Sequence, residues 1–228
     1  MASTYSAAAQ DSDFAVGVGG KPLFTPEKNP LHVPAKALAE AISAEWQANG
    51  KYNAGKMPLT ALAYTAIDRI GSQKDAIVEV LMVYIDTDTL SYRAGASEKL
   101  AKQQKELWGP ILDWAGQTLG VTWAVTSGVM PLDQSPALHK AIEKYLGSLS
   151  AMQLSATCVL SSGFSSLVLA LAVLEDHLSA EEAFHLSRLE EESQAEAWGR
   201  DKEADVRAER LKSEILDAER FLDLLEMP

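Results

Sequence analysis

With 228 residues, the chain is long enough to bury a substantial core as one domain or two small ones. Its 32 acidic and 20 basic residues give a net charge of −12, which argues against nucleic-acid phosphates or an anionic membrane surface as partners. The single cysteine, Cys158, excludes an intramolecular disulfide, a four-cysteine zinc site and a Cys-x-x-Cys redox pair, and suits a reducing compartment.

The opening Met1-Ala-Ser-Thr-Tyr5 lacks the basic start and apolar run of a secretory signal. The first Lys or Arg is Lys21, so an arginine-rich mitochondrial presequence is missing too. The expectation is a cytosol-like compartment, or the mitochondrial matrix if a presequence has been removed. Whether residues 1–13 form a first strand is left open by the sequence. Phe14-Ala-Val16-Gly-Val18 alternates as a strand does, and Gly19-Gly20 is a two-residue hairpin turn. Leu23-Phe24-Thr25 returns as an edge because Pro22 lacks an amide donor, and Leu31-His-Val33 is a further extended piece. Pro34 opens a helix with Leu38, Ile42 and Trp46 on one face, ended by Asn49-Gly50. Pro58 opens the next, with Leu62, Ala66 and Ile70 in phase and Gly71 as its stop. Ile77, Val80, Leu81 and Tyr84 mark a third from about Gln73 to Ile85.

Asp86 to Arg93 reads as an irregular polar connection with solvated carboxylates. Ser97 caps a helix through Leu100 and Trp108, which Pro110 restarts or kinks and Gly120 ends. Val121 to Thr126 is rich in β-branched and aromatic residues and is expected as a strand completing the first sheet. Beyond Pro131 only helices are expected. One runs from Pro136 to about Leu146, and two uncharged ones lie either side of Gly163. A capped helix runs from Ser179 to Trp198-Gly199, and a last one starts near Asp201. In this last helix Ala204, Ala208, Leu211, Ile215, Ala218, Leu222 and Leu225 form a heptad seam. The thirty residues from Tyr145 to Leu174 carry no charge, but seven serines, two glycines and an apolar run of only eight residues point to buried helices rather than a membrane span. The fold class is therefore α+β, mostly α. A small N-terminal β-hairpin or sheet with helices occupies residues 1–130, and an all-helical domain occupies 131–228.

Few motifs of chemistry survive inspection. Gly17-Val-Gly19-Gly20-Lys21 fails as a phosphate loop at Ala15 and Pro22. His32, His139, His177 and His185 are scattered, and an EF-hand starting at Asp86 fails at Ser91 and Ser97, so no metal site is expected. Cys158 has no nearby cation to activate it, and no G-x-S-x-G elbow exists. The remaining signal is acidity: residues 181–228 hold 15 acidic and 7 basic residues, densest at Glu190-Glu191-Glu192. Such a run is either a solvated helix face or a surface that steers a basic partner.

Seven segments in order resemble one family. They are Phe14-Ala-Val16 through Gly20-Lys-Pro22-Leu to Thr25-Pro26, Asn29-Pro-Leu-His-Val-Pro34, and Leu38-Ala-Glu-Ala-Ile42-Ser-Ala-Glu45-Trp46. Met57-Pro-Leu-Thr60 with Ala66-Ile67-Asp68, Thr87-Asp88-Thr-Leu-Ser-Tyr92-Arg93-Ala94 and Trp108-Gly-Pro-Ile-Leu-Asp-Trp114-Ala follow. The last is Leu189-Glu-Glu-Glu-Ser-Gln194-Ala-Glu196-Ala-Trp198-Gly199-Arg-Asp201. From about Phe14 to Leu225 the chain is similar to the assembly chaperones for the alpha subunit of the F-type ATP synthase catalytic head, found in mitochondria and alpha-proteobacteria. It departs from that family at Gly109, where an acidic residue is usual, at Ser91, where a small thiol is usual, and in residues 1–13, which lack a basic-aromatic opening.

The resemblance implies an ATP-independent chaperone without enzymatic activity, cofactor or metal. Its partner would be the unassembled alpha subunit, shielded from aggregation and released to the beta subunit. A monomer in the bacterial cytoplasm is expected. The resemblance places partner binding at Glu190, Glu191, Gln194, Glu196, Trp198 and Asp201, with Glu191 first and Glu196 second. Trp46 and Trp114 are expected in the core. Two other classes stay open: an acidic adaptor or regulatory protein with another client, and a small enzyme of unknown substrate.

Overall fold

Gly19 and Gly20 adopt φ of +56° and +79°, the double left-handed turn that suits a two-residue hairpin and that a Cβ would penalise. They join β2 (Asp13–Val18) to the two-residue β3 (Lys21–Pro22), pairing Val18 with Lys21 and Gly17 with Pro22. The computed structural model describes residues 4–10, 12–95, 97–127 and 131–227; residues 1–3 of the opening and 128–130 of the expected connector lie outside them. The chain divides into two compact units, one of Met1–Lys74, Ser150–Ala156 and Asp217–Pro228, the other of Asp75–Leu149 and Thr157–Leu216. The division expected near residue 130 falls inside the second unit.

In the first unit, the first strand that the sequence left open is present: β1 (Tyr5–Gln10) pairs antiparallel with β2, and β4 (His32–Val33) pairs with the other side of β2. The sheet packs on α1 (Lys36–Asn49), which begins two residues after Pro34 and ends at Gly50 with φ +65°. Tyr5 stacks on Trp46 at 5.7 Å, which leaves Trp46 half-buried rather than in the core. Pro58 does open α2 (Pro58–Thr65), but its cap comes from a distance. The Glu45 carboxylate accepts from the amides of Leu59 (2.9 Å) and Thr60 (2.8 Å) and from the Thr60 hydroxyl (2.6 Å). Gly71 is no stop. The helix passes through a π-helical turn, Ala66–Ile70, into α3 (Gly71–Met82), with a kink at Gln73 and its residues from Asp75 on in the second unit. Asp68 on that turn accepts from the Thr25 hydroxyl (2.5 Å), the Asn29 amide group (2.9 Å) and the Glu27 amide (3.2 Å). Those hydrogen bonds outweigh burial and hold its carboxyl below the usual range.

In the second unit, the segment expected to be irregular is built. α4 (Tyr84–Thr87) leads to a 3₁₀ turn, Thr89–Ser91, and then to β5 (Tyr92–Arg93). Val121–Thr126 does not form the expected strand. Only Thr126–Ser127 (β6) is extended, and it pairs in parallel with β5 as a separate two-stranded sheet. α5 (Glu98–Leu119) is capped by Ser97, keeps Pro110 in its interior and ends at Gly120 with φ +68°. Trp108 is its buried tryptophan, 1% exposed, donating its indole N–H to the Leu186 carbonyl at 2.9 Å, whereas Trp114 is half-buried against His177. α6 (Pro136–Ser148) starts under the Ser135 cap. The uncharged stretch forms α7 (Ala151–Phe164), whose residues up to Ala156 belong to the first unit, and α8 (Leu167–Leu174), separated by Ser165 with φ +51° rather than by Gly163. Gly163 lies inside α7, where an added Cβ would sit 2.9 Å from the Ile215 side chain.

All eight residues of α8 are buried, and no helix among the described residues is long and apolar enough to cross a membrane. Its N-terminus is tied down by Asp88, which the sequence had suggested as a solvated loop carboxylate and which is in fact fully buried. Asp88 accepts from the Ser166 hydroxyl (2.8 Å) and the amides of Val168 (3.0 Å) and Leu90 (3.0 Å). Ser166 in turn caps Leu169 at 3.1 Å. Asp86 is engaged as well, accepting from the Gln134 amide at 2.8 Å and facing His139 Nε2 at 3.0 Å.

Burial pushes the Asp88 carboxyl up to about 6, against the pull of its hydrogen bonds. A folded-state value above the unfolded one means that the folded chain holds the extra proton between pH 4 and 6. Stability from this group is thus full below about pH 4 and lost as pH rises through about 6, worth about 3 kcal/mol. Asp88→Asn removes that dependence. Urea unfolding at pH 4 and pH 7 should show the stability gap between wild type and variant moving by about that amount in favour of the variant as pH rises. A gap that does not change with pH contradicts the assignment.

Candidate functional site

The C-terminal acidic run folds as a helical corner, of which the residues up to Leu216 belong to the second unit. Ser179 and Glu182 form a reciprocal capping box for α9 (Ala180–Ser187): the Ser179 hydroxyl accepts from the Glu182 amide at 3.2 Å, and the Glu182 carboxylate accepts from the Ser179 amide at 2.9 Å. The expected single helix is broken at Arg188, whose backbone leaves helical geometry, and α10 (Leu189–Trp198) begins behind it. Glu190, Glu191 and Glu192 therefore occupy the first turn of α10, where carboxylates offset the positive end of the helix dipole. Their clustering therefore also has a structural benefit at the start of this helix. Gly199, with φ +94°, then turns the chain into α11 (Lys202–Glu226).

Between these helices lies an open groove of about 650 Å³. Phe184 and Arg188 form one part of its lining, Trp198 and Asp201 its corner, and Ala204 and Ala208 its α11 side. The Arg188 guanidinium lies 5.8 Å over the Phe184 ring and 3.4 Å from Glu191 Oε1, which fixes it as part of the wall. The heptad seam of α11 divides accordingly. Ile215, Ala218 and Leu222 are buried, whereas Ala204, Ala208 and Leu211 are only half-buried.

The six expected site residues are all exposed and do not form one cluster of contacts. Glu191, Gln194, Trp198 and Asp201 line the groove; Glu190 and Glu196 do not. Glu196 instead meets Lys99 on α5 at 3.5 Å, and Asp201 meets Arg207 at 3.9 Å. These pairs are solvent-exposed, so each is worth at most about 1 kcal/mol and gives way readily to a competing cation. Trp198 is 82% exposed, the largest apolar side chain so presented among the described residues. The sequence reading missed Phe184, Arg188 and the first turns of α11 as lining. The signal for them was Gly199, a left-handed turn that doubles the chain back on the motif it ends. Among the described residues no group of three or more His, Cys, Asp or Glu could hold a metal ion.

Comparison with known proteins bears on the whole chain. Residues 2–116 match the family model described as ATP12 chaperone protein. The chain is 27% identical over 220 residues to the mitochondrial atp12 protein of Schizosaccharomyces pombe, covering 90% of this chain and 76% of that protein. The crystal structure of Atp12 from Paracoccus denitrificans superposes with a TM-score of 0.93 at 39% identity, covering 98% of this chain and 96% of that one. The Atu1473 protein of Agrobacterium tumefaciens gives a TM-score of 0.88 at 36% identity, covering 97% and 83%.

A tryptophan in solvent adds little to stability, whereas one in the core adds much. Trp198→Ala should leave the unfolding free energy within about 0.5 kcal/mol of wild type and remove the tryptophan emission most accessible to acrylamide. Trp108→Ala should cost about 3–5 kcal/mol. Equal destabilisation by the two would contradict the exposure described.

Proposed function

The chain belongs to the ATP12 chaperone family, and on that premise we propose that it is an ATP-independent assembly chaperone for the F-type ATP synthase. It binds the unassembled alpha subunit, prevents its aggregation and yields it to the beta subunit. Family membership carries this reading, and the motif resemblance from Phe14 to Leu225 supplies the client. The groove supports it from the side of physical chemistry. A chaperone surface must be adhesive to its client and still not to itself. One exposed indole beside alanines, rimmed by Glu191, Asp201 and Asp205, meets both demands. The apolar elements are too small to drive self-association, and the carboxylates steer a basic face toward them.

In this reading Glu191, Gln194, Trp198 and Asp201 contact the client directly, and Glu190 and Glu196 contribute field and rim contacts. The protein acts as a monomer, needs no cofactor and catalyses no reaction. The higher identity to the bacterial relatives favours action in a bacterial cytoplasm. Release requires only moderate affinity, because the beta subunit competes by mass action for the same client.

The direct test is light scattering by purified alpha subunit, with and without this protein at equal molarity and without nucleotide. Suppressed scattering and a one-to-one complex on a sizing column are expected, and their absence refutes the reading. Glu191→Lys should keep helicity and unfold within about 1 kcal/mol of wild type, since only an exposed pair and a dipole contact are lost. It should nevertheless fail to suppress scattering. Full suppression by that variant would remove the groove from the binding surface while leaving the activity in place.

A further inference from the structure

The N-terminal sheet has two edges of opposite character. At one, β3 is two residues long and carries Lys21 and Pro22, the short length, charge and missing amide by which edge strands are ordinarily closed to further pairing. The other edge is β1, six residues reading Tyr5-Ser-Ala-Ala-Ala-Gln10, with no charge, no proline and no bulge in its register with β2.

The direction of its backbone groups follows from the ladder. The Gly19 amide donates to the Thr4 carbonyl at 3.1 Å, so the even-numbered residues of β1 bond β2, since hydrogen-bonded and non-hydrogen-bonded pairs alternate in an antiparallel ladder. The odd-numbered residues therefore point away from it. Tyr5 confirms this phase, its amide being taken by Gln47 Oε1 at 3.0 Å. On the far side of β2, Val16 likewise turns to the next chain segments, donating to Leu31 and accepting from Leu23. The outward amides and carbonyls of Ala7 and Ala9 have no partner among the described residues.

We propose that the β1 edge is a docking strand: an extended segment of the unassembled alpha subunit adds to it by main-chain pairing through Ala7 and Ala9. This rests on the chaperone reading above. The alanine side chains of β1 add little bulk beside an incoming backbone, which would pair beyond the Tyr5 amide that Gln47 holds, and main-chain pairing is tolerant of client sequence. A second copy of the chain is the poorer occupant, because each copy carries a net charge of −12 and like charges oppose the approach.

Hydrogen exchange read at single amides tests this on the full chain. Ala7 and Ala9 should exchange fast in the free protein and be protected at least tenfold in the complex with alpha subunit, while Ala8, already in the ladder, changes little. Ala7→Pro deletes only an outward amide, so it should keep the melting temperature and weaken client binding about tenfold. Ala8→Pro removes a ladder bond and should lower the melting temperature. If a complex forms but Ala7 and Ala9 stay fast, or Ala7→Pro binds normally, the edge is not a docking strand, although the chaperone reading stands. Protection of the same amides in the concentrated free protein assigns the edge to self-association and overturns the proposal. If no complex forms at all, the chaperone reading fails and this inference fails with it.

Discussion

The buried carboxylate of Asp88 is the constraint on which the second unit turns. Helix α8 is eight residues of unbroken apolar sequence, and every one of them is out of solvent. Burying such a helix removes water from the amides of its first turn, which have no partner within the helix itself. Asp88 and Ser166 supply those partners, and the Thr89 amide and hydroxyl bind the Ser165 carbonyl just before them at 3.2 Å and 2.8 Å. The left-handed Ser165 and the extended Ser166 are thereby held at the join between α7 and α8. One carboxylate thus fixes the start of the most buried helix and the 3₁₀ turn that precedes β5, at the cost of a charge taken out of water.

The first unit solves the same problem with the same chemistry. Pro58 starts α2 but cannot cap it, and Met57 has no side-chain oxygen to do so. Glu45, a helix and a loop away, accepts from two successive amides of that first turn. Asp68 gathers the Thr25–Asn29 loop onto the π-helical turn. Three acidic residues therefore serve as structural acceptors, so the charge of −12 is not all surface charge. The balance left on the outside is concentrated toward the C-terminus, where α10 and the start of α11 leave it in solvent.

Sequence reasoning succeeded wherever one residue decided the local outcome. Gly19-Gly20, Gly50, Gly120, Ser97 and the Ser179–Glu182 box each did what their side chains, or lack of them, dictate. It failed where a distant partner decides. Val121–Thr126 has the composition of a strand, but only its last residue finds a strand to pair with. Val80 shares the helical phase of Leu81 yet is 59% exposed, because Val78, Leu81 and Ile85 carry the buried face. Asp88 looked like a loop carboxylate because nothing local shows that α8 arrives beside it. β1 was unreadable because Ser-Ala-Ala-Ala has no strand preference of its own and takes its conformation from β2. The acidic motif of the candidate site was legible as a motif. Its shape was not, since the groove depends on the break at Arg188 and the turn at Gly199.

Those two failures share a cause that bears on function. A strand that adopts its conformation only because a neighbour offers a ladder carries no side-chain signature, and neither does the edge it leaves open. A groove floored by alanines carries little apolar signal either, since Ala204 and Ala208 read as ordinary helix formers. Surfaces that bind strongly through large apolar residues announce themselves in sequence, but a chaperone that must stay soluble and let go cannot use many of them. Weak adhesive elements are compatible with release: a short uncharged edge, a single exposed indole, and carboxylates whose ion pairs cost little to exchange.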